Sequence, residues 1–147
     1  MRQIIRDSLH RSLLSLYEAW DAARGDGLMP TRAALAEFDL ERWRDDLLII
    51  QPTADGGWRY GHYGQTFIHR FGLDLTGQTV ATSLIDDQRA KVEFDYEHAC
   101  AEKKAVWRVY KAEMEGKPVT WQRLILPVSD DGEVVIRLLV GIAEIHK

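Results

Sequence analysis

The stretch WRVYKAEMEGKPVTWQRLILPVSDDGEVVIRLLVGIAEI, residues 107–145, decides the fold. Trp107 to Met114 is a run of strand-forming residues that ends at Glu115-Gly116-Lys117-Pro118, and Thr120 to Leu126 is a second that ends at Pro127. Val134 to Ile145 follows the turn Ser129-Asp130-Asp131-Gly132. Three runs joined by short turns make an antiparallel meander. In the last run Val134, Ile136, Leu138, Val140 and Ile142 share one face, while Val135, Leu139 and Ala143 share the other with Arg137. Apolar residues on both faces put this strand at the centre of a sheet with a helix against its outer side.

Upstream, Asp86 to Lys104 has neither proline nor glycine, and Val92, Tyr96 and Ala99 or Cys100 fall on one helical face. Gly64 to Phe71 reads as a short helix closed by Gly72, followed by a tight bend through Leu73-Asp74-Leu75-Thr76-Gly77. Leu47 to Gln51, ended by Pro52, and Trp58 to Tyr63 flank Asp55-Gly56-Gly57 and read as a hairpin. Pro30 to Ala36 reads as a connector, and Asp39 as the N-cap of a short helix over Leu40 to Asp45. At the start, Ile5, Leu9, Leu13, Leu16, Tyr17 and Trp20 recur every three or four positions, giving one helical stripe that lasts to Arg24 and stops at Gly25-Asp26-Gly27. The stripe suits packing on the chain's own sheet and equally a short coiled-coil seam with a second copy.

Composition narrows the function classes. With 147 residues, 46% of them hydrophobic and 29% charged, the chain has the length and apolar content of one domain. The net charge of −4 is spread without a basic run, so there is no footprint for a phosphate backbone and nucleic acid is not an expected partner. The longest apolar runs, Leu47 to Ile50 and Val134 to Val140, are far shorter than the roughly 20 residues of a membrane span. Asp7, His10 and Arg11 interrupt any signal-peptide core, and the cytoplasm is the expected compartment. The lone Cys100 excludes an internal disulfide and reads as a small buried hydrophobe in its helix.

The order is therefore helix, two strands, short helices, one long helix and three strands, the arrangement of a PAS domain. Leu16-Tyr17-Glu18-Ala19-Trp20, Arg24-Gly25, Pro30-Thr31-Arg32, Tyr63-Gly64, Phe71 to Gly77 and Leu124 to Gly132 occur in that sequence. Together they resemble a family of short bacterial PAS proteins abundant in alphaproteobacteria, over about Leu13 to Gly141. The resemblance implies an α+β fold: a PAS-like five-stranded antiparallel sheet with helices on one face and an extra N-terminal amphipathic helix. It also implies a chain that stands without an attached kinase or cyclase, and it implies no particular cofactor. The chain divides into residues 1–28, helix and connector with a possible role in dimerisation, and residues 29–147, the PAS-like domain. Two departures from the family pattern, Gly64-Gln65 for a Gly-Thr step and Asp39-Leu40 for an Asp-Pro step, lie at helix starts and imply altered capping.

No catalytic motif is present. The five histidines, His10, His62, His69, His98 and His146, lie in different elements without ligand spacing, so no metal is expected. Cys100 sits late in its helix, away from where a flavin-reactive cysteine belongs. Tyr60, His62, Tyr63, Trp107, Trp121 and Arg123 lie on predicted strands and are the candidates for a ligand pocket, with core packing as the plain alternative. Where the inner faces carry Arg123 or Arg137, a buried guanidinium needs an anion, supplied by a ligand or by the chain's own carboxylates. The dimer-interface candidates are Ile5, Leu9, Leu13, Leu16 and Trp20. Two functions follow. The first is a sensory or interaction module in bacterial signalling, acting on an unidentified small molecule or signalling protein and paired as a homodimer through its first helix. The second is a small NTF2-like cone-fold hydrolase or isomerase, which requires an Asp with a His or Tyr inside a cavity.

Overall fold

Glycine and capping residues punctuate the chain where the sequence places them. Gly72, at φ 81°, ends the helix after the first hairpin and donates its N–H to the carbonyl of Ile68. Gly64 passes so close to the preceding segment that a Cβ there would sit 2.3 Å from the carbonyl oxygen of Asp45. The computed structural model describes residues 2–38, 40–84 and 86–145. Asp39, expected as an N-cap, and His146 lie outside them.

The elements are α1 (Arg2–Ser8), α2 (Arg11–Arg24), α3 (Arg32–Leu35), a 3₁₀ helix (Leu40–Asp46), β1 (Leu47–Pro52), β2 (Trp58–Tyr63), α4 (Gln65–Phe71), α5 (Val80–Ser83), α6 (Asp86–Glu102), β3 (Val106–Met114), β4 (Lys117–Ser129) and β5 (Val135–Ile145). The five strands form one sheet in the order β2-β1-β5-β4-β3, and every strand pair is antiparallel. β5 is central, as its two apolar faces require. None of the described helices is long and apolar enough to cross a membrane.

Both faces of the sheet are covered. On the inner face α4, α5 and α6 bring Phe67, Val80, Val92, Tyr96 and Ala99 against Ile50, Trp58, Tyr60, Ile125, Leu138 and Val140. On the outer face Ile5, Leu9, Leu13, Leu16, Tyr17 and Trp20 pack against Leu47, Leu124, Leu126, Leu139 and Ala143. Of the two readings of the stripe, packing on the chain's own sheet is the one the structure shows. The stripe Ile5, Leu9, Leu13, Leu16 and Trp20 is buried in the chain's own core, with Leu16 only 2% exposed, so the dimer reading loses the surface it rested on. Residues on both sides of the 28/29 boundary share that core. Gly141 makes the close approach possible, because a Cβ there would lie 2.8 Å from Leu13 Cδ2.

Three further expectations change. The leading helix is two helices, broken between Ser8 and Arg11. The buried Gln122 of β4 explains the break: its Nε2 donates to the Ser8 carbonyl (2.8 Å) and its Oε1 accepts from the His10 N–H (2.6 Å). A polar side chain in that core is satisfied only where the backbone is unpaired. β4 also runs through Pro127 instead of stopping there. β3 begins at Val106, paired with Ile125, so Pro127 lies beyond its end, where the absent N–H is not missed and the carbonyl accepts from Trp20 Nε1 at 2.8 Å. Finally, the connector contains α3, capped by the Thr31 side chain, and is tied to β4 where Ser129 N–H donates to the Pro30 carbonyl.

Candidate functional site

Alternation along β2 places Trp58 and Tyr60 on the inner face, and the same rule would put His62 beside them. A β-bulge prevents it. Ile49 pairs with His62 and Ile50 pairs with Tyr60, so Gly61 is the extra residue, and Gly61 and His62 both turn to the outer face while Tyr63 returns inward. The pocket candidates are thus divided between two faces. Tyr60, Tyr63, Trp121 and Arg123 stand on the inner face, whereas His62 and Trp107 stand on the outer one.

The inner face carries a set of aromatic side chains in contact with one another. Tyr60 and Tyr63 meet edge to face at 5.6 Å, Tyr63 meets Phe67 at 6.1 Å, Trp58 meets Tyr96 at 5.6 Å, and Phe71 meets Trp121 at 5.8 Å. Arg123 has found an internal anion. Its guanidinium lies 3.7 Å from the carboxylate of Asp95, a fully buried residue of α6, and over the ring of Tyr110 at 4.4 Å. Asp95 also accepts two hydrogen bonds of 2.7 Å from the half-exposed Arg108, which raises the Arg108 guanidinium further above its ordinary range. The carboxylate of Asp95 is thus held by two guanidinium groups. Cys100 of α6 is half-buried, and burial pushes its thiol up to about 11, away from thiolate chemistry.

Burial also raises Tyr60, Tyr63, Tyr96 and Tyr110, with Tyr63 pushed up to about 12. A folded-state pKa above the ordinary 10.0 favours the neutral phenol, so this stabilisation is complete below pH 10 and drains away as pH rises through about 12. In an alkaline titration followed at 295 nm, tyrosinate is expected to appear together with loss of the circular dichroism signal. Full ionisation near pH 10 with the fold intact would contradict the burial described here.

The outer face holds a cavity of about 400 Å³ between the sheet and the segment linking α2 to β1. Leu35, Ala36 and Leu40 form its roof, and Leu47, Ile49, Val128 and Leu139 its apolar floor. Arg32, Arg44, Arg137, Glu41 and His62 supply the polar groups. The carbonyl of Arg44 lies 2.8 Å from His62 Nε2 and can only accept, so Nε2 carries the proton and pins the 3₁₀ helix to β2. Arg32 pairs with Asp130 at 2.6 Å and Arg44 with Glu41 at 3.4 Å, both near the surface. Arg137 is different: its Nε is buried and has no hydrogen-bond partner. Burial, and next the nearby Arg32, push its guanidinium below the ordinary range. Sequence reasoning gave this cavity no place, because the bulge that turns His62 outward and the helix that roofs the site depend on contacts remote in the chain.

An open five-stranded antiparallel sheet in the order 2-1-5-4-3, with the helices between its second and third strands on one face, defines a PAS-type domain. The PAS domain family model matches residues 8–143, and the chain belongs to that family. Among solved structures it is similar to the PAS domain of Bordetella pertussis BvgS, at 17% identity and TM-score 0.55, over 74% of this chain and 87% of that one. It is similar to a light-oxygen-voltage domain studied with a flavin analogue, at 15% identity and TM-score 0.54, over 74% and 82% of the two chains. It also resembles a single-residue variant of RsLOV, at 12% identity and TM-score 0.53, over 90% and 69%. At such identities these likenesses speak for the fold. No curated protein matches the chain.

Proposed function

We propose that this PAS domain is a non-enzymatic sensor that reads a small molecule in the outer-face cavity and passes the signal to a partner signalling protein. One observation carries the reading: the inner face is packed with the chain's own aromatics, whereas the outer face keeps about 400 Å³ under a short, separately capped segment. A ligand there touches both the sheet and α3, which packs against α2. Occupancy shifts the roof only by the difference in ligand affinity between its two arrangements. Backbone amide shifts recorded against a panel of small metabolites test the proposal. A saturable response centred on residues 32–44 and 137–139 is expected from at least one compound; responses confined to the inner face, or none, would contradict it.

A further inference from the structure

We infer that the ligand of this cavity is a carboxylate with a short apolar body, its head group bound by Arg137. The inference rests on the sensor reading above and names the chemistry of the same site. Three arginines face the cavity or its rim. Arg32 is neutralised by Asp130, and Arg44 by Glu41, so neither pair leaves net charge for a ligand. Arg137 alone of the three keeps a buried N–H without an acceptor, beneath the roof formed by Leu35 and Leu40.

A buried guanidinium nitrogen without a partner is costly, because its desolvation is not returned by a hydrogen bond. The planar fork of arginine matches the two oxygens of a carboxylate, and such bidentate pairs are stronger and more directional than neutral hydrogen bonds. The apolar roof and floor, as distinct from Arg32, Arg44, Glu41 and His62, select the body of the ligand. Leu35, Leu40, Leu47, Ile49, Val128 and Leu139 offer no polar side chain, so a hydrocarbon portion is rewarded and a bare inorganic anion is not.

The test uses the full chain with octanoate, octanol and inorganic phosphate as probes, followed by amide shifts and by calorimetry. Octanoate should saturate shifts at residues 32–44, 61–62 and 137–139 and bind at least tenfold more tightly than octanol or phosphate. Arg137→Met should weaken octanoate at least tenfold, and Arg137→Lys, which keeps the charge but loses the fork, should fall between. Arg137→Met should also unfold at or above the temperature of the unsubstituted chain, since it removes an unpaired buried N–H, so its loss of binding is not a loss of folding. Octanol binding as tightly as octanoate at the same amides would overturn the carboxylate assignment while leaving the cavity as a sensor site. Phosphate equalling octanoate would overturn the need for an apolar body. No saturable shift with octanoate, when another metabolite does shift these amides, would overturn the inference alone. Silence of these amides toward every compound would overturn the sensor reading with it.

Discussion

Asp95→Ala is expected to destabilise the domain by about 3 to 5 kcal/mol, enough to unfold much of it at physiological temperature. The carboxylate is fully buried and answers two guanidinium groups, Arg108 by two 2.7 Å hydrogen bonds and Arg123 at 3.7 Å. Removing it strands the Arg123 charge among Tyr110, Trp121 and α6, where water cannot replace the lost partner. Arg108→Ala should cost less, because Arg108 is half-exposed and Arg123 remains beside Asp95. Urea unfolding of the single variants and of the pair Asp95→Leu with Arg123→Met separates the contributions. The paired variant should regain most of the stability, since neither charge is left alone. A loss under about 1 kcal/mol for Asp95→Ala would show that the guanidinium groups find other acceptors.

The second large effect is expected at Trp20. Its ring is 3% exposed, packs with Tyr17 at 5.9 Å, and places Nε1 2.8 Å from the Pro127 carbonyl. Trp20→Ala removes the largest side chain under α2 and leaves that carbonyl unpaired inside the core, a loss of about 3 to 5 kcal/mol. Trp20→Phe, which keeps most of the ring but not the donor, should lose about 1 to 3 kcal/mol. If α2 were only loosely associated with the sheet, both variants would unfold at nearly the same urea concentration as the unsubstituted chain.

Most of the fold was legible in the sequence because its signals are local. The periodicity of Val135 to Ile145, the turn residues around Gly56 and Gly132, and the closing Gly72 mark elements without reference to distant residues. Both faces of the last strand read as apolar, and that led correctly to a central strand with a helix on its outer side. The failures share one cause. The break at His10 is set by Gln122, 112 positions away, and the passage of β4 through Pro127 is set by where β3 begins. The one-residue bulge at Gly61 moved His62 from the face of Tyr60 and Tyr63 to the opposite one, and alternation alone has no means of locating it. Arg123 and Arg137 looked equivalent as strand arginines. Only the packing shows that the first meets Asp95 while the second keeps a buried N–H unmatched.

The account depends on the leading helices being fixed on the outer face of the sheet, where they hold the segment that roofs the cavity. Native-state hydrogen exchange tests this most directly. Amides of Leu14 to Ala23 in α2 should exchange on the same slow scale as those of Leu138 to Ala143 in β5, because both open only when the whole domain unfolds. Amides of α2 exchanging orders of magnitude faster, with β5 still protected, would mean that the helix leaves the sheet on its own; α3, which packs against α2 and carries part of the cavity's roof, would then lose its anchor, and the sensor assigned to the cavity would fail.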